Sequence, residues 1–180
     1  RSLAPSVDAS PLLDPPAGRH GFLSVQDGHF AFADGTPVRF FGVNLQAERA
    51  LPSHAEAEGL AERLAQLGCN LVRLHHLDAP WAARNLFDPA FDDTQHLNAA
   101  SLDRLDYFLA ELKARGIYVY LDLLVNRKFK AGDGVPGYRR LDRGAKAVAQ
   151  YSPRLIQLQK QYARDLLTHL NPYTGERLVD

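Results

Sequence analysis

Residues 102–129, LDRLDYFLAELKARGIYVYLDLLVNRKF, join a helix pattern to a strand pattern without a break. Leu102, Leu105, Leu109 and Leu112 recur at helix-face spacing, predicting an amphipathic helix over Ser101–Arg115 with Gly116 as its stop. The period then changes. Ile117–Val125, IYVYLDLLV, is short and nearly continuously hydrophobic, the pattern of a strand covered on both faces. A helix feeding such a strand is half of a βαβ unit, so the neighbouring segments decide whether the unit repeats.

It repeats upstream. Ser53 and Glu56 form an S-x-x-E capping box, which satisfies two orphan backbone donors. Ala57, Leu60, Ala61, Leu64 and Leu67 follow on one helix face, and Gly68 closes the helix. Cys69–Leu77, CNLVRLHHL, reads as a short apolar strand, and Val38–Leu45 as the strand before the helix. Downstream, Ser152-Pro153 opens a last helix with Leu155, Leu158, Tyr162, Leu166 and Leu170 on one face, ending at Asn171-Pro172. Strand and helix alternate three times, which predicts right-handed crossovers and a parallel sheet. Asp27-Gly28 and Asp34-Gly35, set among short apolar runs, predict a β-hairpin ahead of it. Residues 1–20, with Pro5, Pro11, Pro15 and Pro16, read as an extended leader, leaving 21–180 as one unit.

Composition excludes several classes. The chain has 180 residues, with 21 Lys plus Arg against 21 Asp plus Glu, so no net charge draws it to nucleic acid or an anionic membrane. Cys69 stands alone, so neither an intrachain disulfide nor a cysteine zinc site can form. The absence of Met points to a processed or cut N-terminus. No run approaches the roughly 18 apolar residues of a membrane span, and residues 1–20 lack the apolar block of a signal peptide.

Two parallel-sheet architectures compete. A doubly wound sheet usually carries a Gly-rich phosphate turn after its first strand, but that place holds Asn44-Leu45-Gln46-Ala47-Glu48. A (β/α)8 barrel takes about 250 residues, so three βα units make an incomplete one. The segments FADGTPVRFFGVNL (32–45), GCNLVRLHHLDAPW (68–81), 102–129 and YARDLLTHLNPYTG (162–175) break the tie. Together and in this order they resemble the N-terminal part of clan A glycoside hydrolases, closest to the family 5 cellulase-like branch. The resemblance covers residues 21–180 and implies an α/β fold: the first three βα units of a TIM barrel, with the hairpin capping its bottom. It implies hydrolysis of β-linked glycans with retention, and no metal or organic cofactor.

A retaining glycosidase needs two carboxyl groups about 5–5.5 Å apart, one protonated and one ionised. In the family these are Glu residues ending strands four and seven, which this chain does not reach. The six glutamates here, Glu48, Glu56, Glu58, Glu62, Glu111 and Glu176, lie on expected helices, a loop and the tail. Neither catalytic carboxylate is therefore placed on this chain, and the isolated chain is expected to be inactive.

Supporting residues are present. By resemblance, Arg73 hydrogen-bonds the nucleophile and keeps it ionised; the plainer alternative is an Arg satisfied by a carboxylate such as Asp122. His75 and His76 follow at the strand mouth, where barrels of this kind carry their active sites, as candidates for sugar hydroxyls. A metal bound by His75, His76 and Asp78 is the rival, but neighbouring strand residues point to opposite faces. Asn44 resembles a subsite position or is a turn-maker, and Trp81 is a stacking platform or a loop anchor. Leu124 stands where the family often has a substrate-binding His, so either Asn126 or Arg127 substitutes, or this branch has changed specificity or lost activity. The 126–151 loop, with Arg127, Lys128, Lys130, Arg139, Arg140 and Arg143, reads as a solvated cleft loop rather than a nucleic-acid patch.

Two other classes stay open: a non-catalytic carbohydrate-binding or scaffold barrel, and a metal-dependent barrel hydrolase. The expected partners are a carbohydrate and whatever covers the free strand edges, either the rest of the barrel or a second copy. Family relatives are commonly secreted, which suggests a secreted or periplasmic setting.

Overall fold

The computed structural model describes residues 8–141 and 145–180. Arg143 of the basic loop and Pro5 of the leader lie outside the described residues. The elements are β1 (Leu23–Gln26), β2 (His29–Phe32), β3 (Gly42–Gln46), α1 (His54–Gln66), β4 (Leu71–His75), α2 (Ala99–Ala114), β5 (Tyr118–Leu121) and α3 (Pro153–Thr168). Strands β3, β4 and β5 form a parallel sheet in that order, and β1 pairs antiparallel with β2. The three expected βα units are all there.

Local chemistry accounts for the helix starts. Ser53 Oγ accepts from Glu56 N, and Glu56 Oε2 accepts from Ser53 N at 2.8 Å, completing the capping box of α1. Asn98 Oδ1 accepts from Ser101 N at 2.9 Å to cap α2, and Ser152 caps α3 with Pro153 at its first turn. Gly42 is required by the sheet: a Cβ there would sit 2.2 Å from Leu71 O on the paired strand.

The sheet has one covered face. Val43, Leu45, Val72, Leu74, Val119 and Leu121 alternate onto it and meet Leu64 of α1, Leu105, Phe108 and Leu112 of α2, and Tyr162 and Leu166 of α3. Burying each such aliphatic side chain contributes about 1.5–3 kcal/mol. β5 departs from expectation here. Its continuous hydrophobicity suggested cover on both faces, yet Tyr120 is 57% exposed. On the second face, at the hairpin end, Phe32 stacks on Tyr118 at 5.1 Å, with Phe40 edge-on at 5.8 Å. The apolar run was two faces read as one, with Tyr118 and Tyr120 on the side away from the helices.

Two further expectations change. Residues 8–20 lie on the surface but are not simply extended: Ser10–Leu12 make a 3-10 turn, Leu13 packs on the core, and Ala17 N donates to Lys113 O at 2.9 Å. The long loop after β5 has its own small core, Phe129, Val135, Ala145, Leu155 and Leu158, so α3 packs on both hydrophobic clusters. Among the described residues no helix is long and apolar enough to cross a membrane.

Candidate functional site

The parallel register lines up side chains on the uncovered face. Asn44, Arg73 and Tyr120 share one row, and Gln46 and His75 share the next, nearer the C-terminal ends. Asp122 follows β5 directly, its N–H donating to Leu74 O at 3.2 Å. Its Oδ2 takes two partners at once, Arg73 Nη2 at 2.8 Å and His75 Nδ1. Arg73 lies 5.8 Å over the Tyr120 ring. The plainer expectation for Arg73, a pair with Asp122, is thus what the geometry contains, although the Arg73 side chain keeps 44% of its exposure. Because Nδ1 of His75 faces a carboxylate, it carries the proton, and Nε2 is left to meet a ligand.

His76 ends the strand in a left-handed conformation, φ 62°. That turns its ring beside His75, edge-on at 4.0 Å, and 5.2 Å from Trp81. The alternation argument, which put the two histidines on opposite faces, fails because His76 no longer has strand geometry. Burial first, then the neighbouring His75, lowers the His76 pKa, so the ring is neutral at pH 7. Its Nδ1 is buried and has no partner among the described residues. Trp81 is 58% exposed, leaving a ring face open at the mouth.

Asp78, considered as a metal ligand, is otherwise engaged. It is buried, and its carboxylate accepts from Val125 N at 2.8 Å and from Asn126 N and Arg127 N at 3.0 Å. This latch fixes the loop after β4 to the chain after β5. Among the described residues no group of three or more His, Cys, Asp or Glu is arranged to hold a metal ion. Asn126 is half-buried beside the latch.

Arg127 does not substitute for the missing His at the Leu124 position, and it is no part of a solvated loop. It is 1% exposed, with Nε on Thr94 Oγ1 at 2.8 Å, Nη2 on Thr94 O at 2.7 Å and Nη1 on Leu158 O at 3.2 Å. The rings of Phe87, Phe129 and Tyr162 surround it at 4.8–5.5 Å. Thr94 passes the contact on to buried Asp133 through its N–H and hydroxyl. Burial lowers the Arg127 pKa, and Asp133 is the foremost opposing charge. A signal for this was present in the sequence: period-two spacing puts Arg127 on the same side as Val125 and Phe129. Lys130 is tied to Phe91 O at 2.6 Å, whereas Arg139 and Arg140 are exposed.

The glutamates are accounted for elsewhere. Glu56 caps α1, Glu58 accepts from Tyr107, Glu62 from Gln66, and Glu111 and Glu176 pair with Arg115 and Lys113. Glu48, in the turn after β3, is exposed. The mouth of the sheet therefore offers a carboxylate–imidazole–guanidinium cluster, a neutral histidine and an indole, but no pair of glutamates.

No family model matches the chain, and no curated protein matches it by sequence. Solved structures do match its fold. The endo-1,4-β-mannanase of Rhizomucor miehei gives a TM-score of 0.67 at 19% identity, over 89% of this chain and 45% of that one. A glycoside hydrolase family 5 mannosidase from the same organism gives 0.66 at 16%, over 88% and 46%. The endo-1,4-β-D-mannanase of Thermotoga petrophila RKU-1 gives 0.50 at 17%, over 78% and 42%. At these identities the likeness is one of fold. The chain spans less than half the length of each neighbour, and its three-stranded parallel sheet fits part of a barrel.

Proposed function

We propose that this chain is the N-terminal part of the catalytic barrel of a family 5 glycoside hydrolase acting on β-linked glycans with retention. The observation that carries the reading is the Arg73–Asp122–His75 cluster at the C-terminal ends of parallel strands whose sheet is similar to that of mannanase barrels. In this reading β1 and β2 close the bottom of the barrel. Arg73, already oriented by Asp122, supplies the positive charge that keeps a nucleophilic carboxylate ionised. His75 Nε2, Asn44, Asn126 and the Trp81 face bind the sugar, and His76 stays neutral beside them. The two glutamates belong to strands outside these 180 residues. Within the described residues β3 and β5 each pair on one side only, and the remaining strands, or a second copy of the chain, cover those edges. The mannanase neighbours make β-1,4-mannan the first substrate to test, and a secreted or periplasmic setting completes the proposal.

A carbohydrate-binding barrel without catalysis is the second reading. It is favoured by Leu124 at a polar family position and by Arg73 being already paired with Asp122. Two measurements separate the readings. The 180-residue chain should release no nitrophenol from aryl β-mannosides or β-glucosides; turnover would overturn the placement of the glutamates. The coding sequence beyond Asp180 should bring an in-frame Asn-Glu within the next strand and a later strand-terminal Glu. Their absence would sink the hydrolase in favour of the binding barrel.

A further inference from the structure

Far from the mouth, at the hairpin end, one histidine stands between two carboxylates from different parts of the chain. His20 Nε2 lies 2.5 Å from Asp14 Oδ2, and His20 Nδ1 lies 2.6 Å from Asp34 Oδ2. Asp14 belongs to the docked N-terminal segment and Asp34 to the turn after β2. The ring is 15% exposed and stacks on Phe32 at 5.8 Å. A neutral imidazole carries one N–H, so it would turn a lone pair toward one of these carboxylates at contact distance. Only the imidazolium donates to both.

The surrounding groups define what happens when the proton leaves. Asp34 is held in place by Thr36 N, which donates to its Oδ1 at 2.9 Å, and Thr36 Oγ1 lies 3.4 Å from His20 Nδ1. Arg19 is the competing cation. Its Nη1 pairs with Asp14 Oδ1 at 2.9 Å, while its Nε sits 3.1 Å from His20 Nε2. A neutral His20 keeps Nδ1–H on Asp34 and presents the Nε2 lone pair to Arg19, so Asp14 loses its imidazole partner. The two protonation states therefore have two different hydrogen-bond sets, which makes the site a switch rather than a graded ion pair.

We infer that His20 is a pH-operated clamp that bridges Asp14 to Asp34 of the hairpin turn when protonated and, keeping Asp34, releases Asp14 when neutral. The consequence reaches the open face of the sheet: Gly18, Gly21 and Phe22 border an apolar groove of about 850 Å³ with Phe32 and Tyr118. The pH window follows from the shifts. Hydrogen bonds from Asp34 and Asp14 raise the His20 pKa above 6.5. Its contribution is complete below that ordinary value and is lost as pH rises through the raised one. Asp34, held at about 2 chiefly by His20, loses its contribution only as pH falls through that value.

The test is a histidine-ring NMR titration of the 180-residue chain, with His20→Gln identifying the resonance. Amide exchange at Gly21 is followed at about pH 5.5 and about pH 8.5 and corrected for intrinsic exchange. His20 should titrate above 6.5, Gly21 protection should fall at the higher pH, and Asp14→Asn should lower the titration point and flatten the difference. A His20 titrating at or below 6.5, or equal protection of Gly21 at both pH values, would overturn the clamp.

Discussion

Replacing Asp78 by Ala removes one carboxylate and orphans three consecutive backbone donors. Val125 N and Arg127 N are buried and lose acceptors at 2.8 and 3.0 Å; Asn126 N is half-buried and can take up water. A buried N–H without a partner costs about 1–3 kcal/mol, and hydrogen bonds to a charged acceptor lie at the strong end. Two such losses and a smaller third give about 4 kcal/mol of lost stability. For a chain of this size that is a fall in Tm of about 8–16 °C. Calorimetric or urea unfolding of Asp78→Ala against the parent chain reads it directly. Asp88→Ala is the control, since among the described residues the Asp88 carboxylate accepts only from Ala90 N, at 2.9 Å in an exposed turn, and it should change stability by about 0.5 kcal/mol. An Asp78→Ala loss below about 1 kcal/mol would refute the latch, because the three amides would then have found other acceptors at no cost.

Other expectations are simpler to check. Leu74→Ala, at a fully buried position on β4, should cost about 2–5 kcal/mol in urea unfolding. Ser53→Ala should cost about 1 kcal/mol by the same assay, through loss of the α1 cap. The hydrogen bond from Tyr107 to Glu58 pushes the phenol up to about 12, so its phenolate absorbance should appear there in a spectrophotometric titration. Glu58→Gln should move that absorbance back toward 10, the ordinary value.

The fold was legible because its signals are local. The Ser53–Glu56 box, the leucine spacing of α2 and the Gly42–Gln46 strand each depend on residues near in sequence, and each stands within a few positions of its expected place. Strand ends were less legible: Cys69–Leu77 narrows to Leu71–His75, its far end cut where His76 turns left-handed, which no residue type forces. Of the site, the Arg73–Asp122 pair was weighed from the sequence, whereas His75 joining the same carboxylate was not foreseen. Contacts across long sequence separations were not legible. Asp78 meets residues 47–49 positions away, and Arg127 meets Thr94 across 33. A loop arginine looks solvated until the acceptors that surround it are brought there by folding.

Helix α3 sets how the loop beside the mouth behaves. Its Tyr162 and Leu166 belong to the sheet's core, and its Leu155 and Leu158 to the small cluster under that loop. One rigid rod therefore serves as keystone to both, and Arg127 is anchored to the same helix through Leu158 O. Opening the described part of the loop means stripping apolar side chains off a helix that the main core holds fixed. Its hydrogen-exchange rates should accordingly track global unfolding rather than local fraying.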